Sequence, residues 1–272
     1  MRSASHVRLA ALALAIATAT TLALAGSARA VQADAFDMSD FVRLVPTDAR
    51  APKGTVYILP GSSGFDIFGD TGHYRRAARE WVRRCYDVVM VDYRAAYIAA
   101  GRPRVGETGH KIAWATAQAR THVERLGFFR GNANLLAAWS LGGEGVWALS
   151  IDGDGVHNWD AAILYYPSNQ DDLVIAPGFP SLALVGSLDD VTPALQVSDA
   201  AASSGFLDVV VFEAAHHGFD IASLETGRTV RLFPVFGPSA TFQYNARAAA
   251  SAVEEIDHFL ERHSLPNCAA TP

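Results

Sequence analysis

Three short stretches of the chain hold residue types that carry out acyl transfer when they meet. Ala138-Trp139-Ser140-Leu141-Gly142-Gly143 sets a serine between an apolar run and the small residues that open a helical segment. Gly186-Ser187-Leu188-Asp189-Asp190-Val191-Thr192-Pro193 offers a carboxylate after a second apolar run, and Glu213-Ala214-Ala215-His216-His217-Gly218-Phe219-Asp220 offers an imidazole after a third. A serine hydroxyl is a poor nucleophile until a base takes its proton, and the base needs an acid to fix its tautomer, so the three work only together. Such a serine stands in a strained strand-to-helix turn whose flanks are small because the two backbones approach closely. Against the pattern G-x-S-x-G, Gly142 occupies the last position and Ala138 the first.

Positioning these groups requires strands that deliver each of them to one edge of a sheet. The chain supplies continuous apolar runs at 55–59, 88–91, 135–139, 161–165, 182–185 and 209–212. Continuous rather than alternating hydrophobicity marks strands covered on both faces. Helical periodicity separates them at 72–84, 111–125, 143–150, 193–203 and 247–262. The alternation predicts an α/β fold, a mostly parallel sheet with helices on both faces, and 41–45 adds an antiparallel edge strand. Residues 221–246 read as a long irregular stretch and 264–272 as a frayed tail, within a single domain over 31–272. Ligands of open α/β sheets lie beyond the carboxyl ends of the strands, where all three groups fall.

The order Ser, Asp, His, each after its own strand, is that of α/β-hydrolases. With Trp-Ser-Leu-Gly-Gly, Gly-Ser-Leu-Asp-Asp-Val-Thr-Pro and His-His-Gly-Phe-Asp, the chain resembles the dienelactone hydrolase family of that fold over most of 53–262. The resemblance implies Ser140 as nucleophile, Asp189 as acid and His217 as base, with Asp190 and His216 as neighbours outside the triad. It places oxyanion donors on the N–H of Leu141, at the positive end of a helix, and on Ser62 in the turn Leu59-Pro60-Gly61-Ser62-Ser63-Gly64. Relatives read His-Gly-x-x-Gly there, and Pro60 replaces the His. Members that act on dienelactone carry Cys where this chain carries Ser140, which moves the expectation from lactones to carboxylic esters. The implied activity is that of a serine esterase working through an acyl-enzyme. With the leader at 1–30 and the uncapped cleft, both read from the residues themselves, the expectation is a secreted enzyme acting on short acyl chains. A lactonase or polyester hydrolase with the same triad is the second reading, and a catalytically silent binding module the third.

Composition narrows the field further. Arg2, Arg8 and Arg29 sit in a leader without acids, which leaves 19 basic against 28 acidic residues beyond it. Nothing basic is available to follow a nucleic acid. The Ala/Leu run 9–25 and Ala28-Arg29-Ala30 read as a signal peptide over 1–30, so the expectation is a secreted or periplasmic protein with no membrane attachment after cleavage. Cys85 and Cys268 either pair or remain apart, Cys85 then continuing the apolar stripe of the helix at 72–84. His73, His110 and His157 lack metal-ligand spacing, and neither metal nor organic cofactor is expected. Asp152-Gly153-Asp154-Gly155 reads as a turn, because Val156 and Ile163 stand where a calcium loop needs ligands. Glu144, in the first turn after Ser140, reads as a helix-dipole residue. About 16 residues separate the strands ending at Tyr165 and starting at Leu182, and Pro167, Pro177, Gly178 and Pro180 leave no helical period for a cap. A shallow cleft is expected, rimmed by 62–68, 93–109, Trp139 and the loop after Phe219.

Overall fold

The computed structural model describes residues 36–128, 131–151, 159–168, 178–202, 204–231 and 238–268. The chain divides into Met1–Phe36 and Asp37–Pro272, and every element below belongs to the second unit. The leader at 1–30, the turn at 152–155 and positions 169–177 of the connection after Tyr165 lie outside the described residues.

Seven strands form one sheet: β1 (Val42–Val45), β2 (Gly54–Leu59), β3 (Tyr86–Val91), β4 (Ala133–Trp139), β5 (Ala161–Tyr165), β6 (Ser181–Gly186) and β7 (Leu207–Phe212). Their order is β1-β3-β2-β4-β5-β6-β7. β1 runs antiparallel to β3, and all other neighbours are parallel. Every residue of β2, β3, β4 and β6 is buried, which is why these segments read as unbroken apolar runs. Among the described residues β7 has no strand beyond it, and it exposes Val211.

Six helices accompany the sheet among the described residues: α1 (His73–Arg83), α2 (Tyr93–Ala99), α3 (Thr108–Arg125), α4 (Gly142–Ile151), α5 (Ala194–Ala202) and α6 (Ala246–Arg262). Asp70 starts α1 by accepting from the N–H groups of Gly72 and His73 at 2.7 and 3.1 Å, and Tyr74, Ala78 and Trp81 form its core stripe. The Asn245 side chain caps α6, which buries Ala248, Ala252, Ile256, Phe259 and Leu260. α3 and α4 touch through glycines: a Cβ on Gly145 would stand 2.3 Å from Ile112 Cγ2.

One open alternative is decided and two expectations need correction. Cys85 does not continue the α1 stripe, because the helix ends at Arg83 and Cys85 adopts φ 66° beyond it. It is bonded to Cys268, with the Cα atoms 5.6 Å apart. The tail is therefore tied down as far as Cys268; Leu265 packs on the core and the Tyr86 hydroxyl donates to the Pro266 carbonyl. Finally, 221–246 contains an antiparallel hairpin, β8 (Arg228–Arg231) with β9 (Ser239–Phe242). Its strands are short and β8 is mostly exposed, so no apolar run announces it.

Candidate active site

Ser140 directly follows β4 and has φ 47°, a left-handed conformation that costs a non-glycine residue about 1–3 kcal/mol and is retained where function needs it. The surroundings impose it. Its N–H donates to the Tyr165 carbonyl at 2.9 Å, and its own carbonyl accepts from Gly143 at 2.9 Å and Ser168 at 3.0 Å. A Cβ on Gly142 would lie 2.4 Å from the Leu59 carbonyl oxygen, and one on Gly143 would lie 2.7 Å from Pro167 Cβ. Gly142 is thus required by backbone contact with the end of β2, and Gly143 by contact with Pro167 just beyond β5.

His217, beyond the end of β7, brings Nε2 to 3.1 Å from Ser140 Oγ and Nδ1 to 2.8 Å from Asp189 Oδ2. With its proton on Nδ1 donated to the carboxylate, the ring presents the Nε2 lone pair to the serine hydroxyl. Asp189 Oδ1 accepts from the N–H groups of Val191 and Thr192 at 2.9 and 2.8 Å. The Thr192 hydroxyl lies 3.0 Å from Oδ2 and 3.2 Å from the Tyr166 carbonyl, with one proton to give. The Asp189 side chain is fully buried and that of His217 nearly so, and these hydrogen bonds compensate the removal of the carboxylate from water. The three residues singled out in the sequence are therefore joined in one line of hydrogen bonds.

Leu141 leads into α4 and Ser62 lies in the turn after β2; neither N–H donates to any group among the described residues. That turn rests against Ser140, since a Cβ on Gly61 would be 3.4 Å from Ser140 Cβ. It is propped from behind: the Gly61 N–H donates to the Tyr74 hydroxyl at 2.8 Å, and the Tyr93 hydroxyl lies 3.1 Å from the Pro60 carbonyl. Burial pushes the Tyr74 and Tyr93 phenols above their ordinary range, so both stay neutral. A cavity of about 280 Å³ opens over Ser140 and His217, walled by Ile67, Phe68, Trp139, Tyr166, Ile221 and Phe242. No group of three or more His, Cys, Asp or Glu side chains is placed to hold a metal among the described residues, and none of their helices is long and apolar enough to cross a membrane.

Solved structures share this architecture. The propionate-bound esterase 2 of the planctomycete Thermogutta terrifontis superposes with a TM-score of 0.56 at 18% identity, covering 85% of this chain and 91% of its own. The same enzyme phosphorylated by paraoxon gives 0.54 at 17% identity, over 83% and 90%. A protein assigned as a dienelactone hydrolase from Klebsiella pneumoniae gives 0.52 at 16%, over 81% and 99%. The chain has the α/β-hydrolase fold. No protein-family model and no curated protein sequence matches it.

Within this fold, the cavity rim agrees with the expectation at 62–68, at Trp139 and at Ile221, and departs from it at 93–109. That stretch contains α2, whose buried Tyr93 supports the turn at Pro60 from behind instead of lining the cleft. In its place the β8–β9 hairpin closes one side. Phe242 meets the His217 ring edge-on at 5.1 Å, Phe68 meets Phe242 at 5.3 Å, and the Arg228 guanidinium lies 4.6 Å from the centre of the Phe68 ring. Glu144 does stand in the first turn of α4; it is fully buried there, and its Oε1 accepts from the Ser168 hydroxyl at 2.7 Å. Asp190 faces the hairpin, where it accepts from the Thr241 N–H at 3.1 Å, and His216 lies outside the cavity wall. Tyr166 and Phe242 went unnoticed in the sequence, because only tertiary contact ties them to His217, and Thr192, three residues from Asp189, was read only as part of its run.

Proposed function

We propose that the chain is a serine hydrolase that cleaves carboxylic esters of short acyl chains through an acyl-enzyme. The observation that carries this reading is the Ser140–His217–Asp189 line of contacts, 3.1 and 2.8 Å long, at the floor of an apolar cavity. Ser140 Oγ attacks the ester carbonyl while its proton passes to His217 Nε2. The charge growing on the carbonyl oxygen is met by the N–H groups of Leu141 and Ser62 and by the positive end of α4. His217 returns the proton to the departing alkoxide as the tetrahedral intermediate collapses. Water, deprotonated by the same nitrogen, then releases the acid and restores Ser140.

Short acyl chains suit a cavity of about 280 Å³, at the lower end for small-molecule sites. Each methylene that finds a wall adds about 0.8 kcal/mol at most, and the gain stops where the walls stop. The neighbouring fold supports the choice, since esterase 2 has been solved with propionate and with butyrate bound. We also infer export of the mature protein; the leader at 1–30 and the Cys85–Cys268 bond both suit an oxidising compartment. The test is a p-nitrophenyl ester series from acetate to palmitate with the mature protein and Ser140→Ala. Efficiency should peak at roughly two to six carbons and vanish in the variant. A steady rise to palmitate contradicts the short-chain reading, and turnover undiminished in Ser140→Ala contradicts the mechanism.

A further inference from the structure

Asp220, three residues beyond His217, has no task in the acyl-transfer steps, yet its carboxylate is held against the wall of the site. Oδ2 accepts from the indole N–H of Trp139 and Oδ1 from the hydroxyl of Tyr166, both at 2.7 Å. His73 Nε2 lies 3.5 Å from Oδ2 without making a hydrogen bond. Burial pushes the His73 imidazole below its ordinary value against the opposing pull of Asp220, so the ring is neutral near pH 7.

Tyr166 connects this carboxylate to the triad. It follows β5 with φ 39°, a left-handed conformation that a bulky residue adopts only under constraint. Its N–H is fixed to the Leu184 carbonyl at 2.8 Å. From that backbone its ring lies against His217, centre to centre 4.3 Å. Its carbonyl lies 3.2 Å from the Thr192 hydroxyl, which stands 3.0 Å from Asp189 Oδ2. One strained residue therefore touches His217 through its ring and Thr192, the neighbour of Asp189 Oδ2, through its carbonyl, and its hydroxyl is tethered to Asp220.

We propose that Asp220 is a positioning residue: through Tyr166 it fixes the surface on which the His217 imidazole rests, and through Trp139 it holds the wall beside Ser140. This rests on reading the chain as a serine ester hydrolase. Hydrogen bonds to a carboxylate are about twice as strong as neutral ones, and two at once remove the freedom of both rings. An amide in the same place has one acceptor oxygen, and its NH₂ faces a donor. Asp220→Asn, nearly identical in shape, must therefore release one ring. Misplacing a base by a fraction of an ångström reduces the reactive population without removing the surface that binds substrate.

The test compares wild type, Asp220→Asn, Tyr166→Phe and the double variant by kcat and KM on p-nitrophenyl butyrate, with fluorophosphonate labelling and melting temperature on each. Tyr166→Phe keeps the ring and removes only the tether. Each single variant should lose ten- to thirtyfold in kcat with KM within about twofold, and the double variant should be no slower than the slower single. A kcat for Tyr166→Phe within twofold of wild type overturns the proposal, as do losses that multiply or an effect confined to KM. Should Asp220→Asn fail to fold, Tyr166→Phe alone decides. Wild-type protein that neither labels nor turns over ester refutes the esterase reading itself, an outcome distinct from active wild type with indifferent variants.

Discussion

Replacing Asp189 with Asn changes one atom of the triad and should disable it. The two backbone N–H groups of Val191 and Thr192 point at Oδ1, so the amide oxygen must occupy that site. Turning the amide over would set its NH₂ against two donors, at about 1–3 kcal/mol for each N–H left unpaired. The amide nitrogen then takes the place of Oδ2, 2.8 Å from His217 Nδ1, where it donates. Nδ1 must accept, so the ring proton moves to Nε2 and faces Ser140 Oγ, now 3.1 Å from a donor instead of a lone pair. The base is lost, together with the buried charge that stabilises the imidazolium. The corresponding change in an unrelated serine-protease triad costs about 10⁴-fold in kcat, or about 5.4 kcal/mol at about 1.36 kcal/mol per tenfold. Folding should suffer little, about 1 kcal/mol, because both backbone hydrogen bonds survive. The assay is kcat/KM for p-nitrophenyl butyrate near neutral pH, with Ser140→Ala as background and melting temperature as the control for folding. An Asp189→Asn protein that melts like wild type and keeps more than about a tenth of its activity refutes the tautomer argument.

Three further outcomes follow from the structure. The Cys85–Cys268 bond spans 183 residues, for which the chain-entropy account gives about 5 kcal/mol; reduction should lower the urea midpoint markedly, while a folded Cys85→Ser/Cys268→Ser protein keeps its turnover. Gly142→Ala drives a Cβ to 2.4 Å from the Leu59 carbonyl oxygen, so ester turnover should fall at least a hundredfold or the protein should fail to express in soluble form; near-wild-type activity would show that the serine turn is looser than the geometry requires. Burial works to raise the Asp70 pKa, but hydrogen bonds from Arg76, the Gly72 N–H and Ser223 outweigh it and hold the group at about 2. Its contribution is present above the ordinary value of about 3.9 and is lost as pH falls toward about 2, so the melting-temperature gap between wild type and Asp70→Asn should narrow over that window.

The sheet was legible where burial on both faces leaves only apolar residues, as in β2, β3, β4 and β6. β1 was legible as well, because its apolar residues precede the first glycine turn. α2 was not: seven residues started by the Asp92 side chain carry too few turns for a period to show. The β8–β9 hairpin escaped for the opposite reason, since exposed strands such as Arg228–Arg231 carry no hydrophobic signal. That Ser140, His217 and Asp189 would meet could be read because each follows a strand end in a recognisable run. Tyr166 and Asp220 could not, since nothing local distinguishes a tyrosine after β5 from a core aromatic; their hydrogen bond joins positions 54 residues apart. The Cys85–Cys268 pairing stayed open in the sequence because helical period continued through Cys85, whereas the chain turns left-handed there and aims it at the tail.

The central claim is that Ser140 is a nucleophile activated by His217. Its most direct test is stoichiometric labelling of the mature protein with a fluorophosphonate, followed by peptide mass mapping. One adduct per chain, on the peptide holding Ser140, with labelling abolished in Ser140→Ala and slowed by orders of magnitude in His217→Ala, is the predicted result. No adduct on folded wild-type protein, or an adduct on another serine that persists in Ser140→Ala, would contradict it.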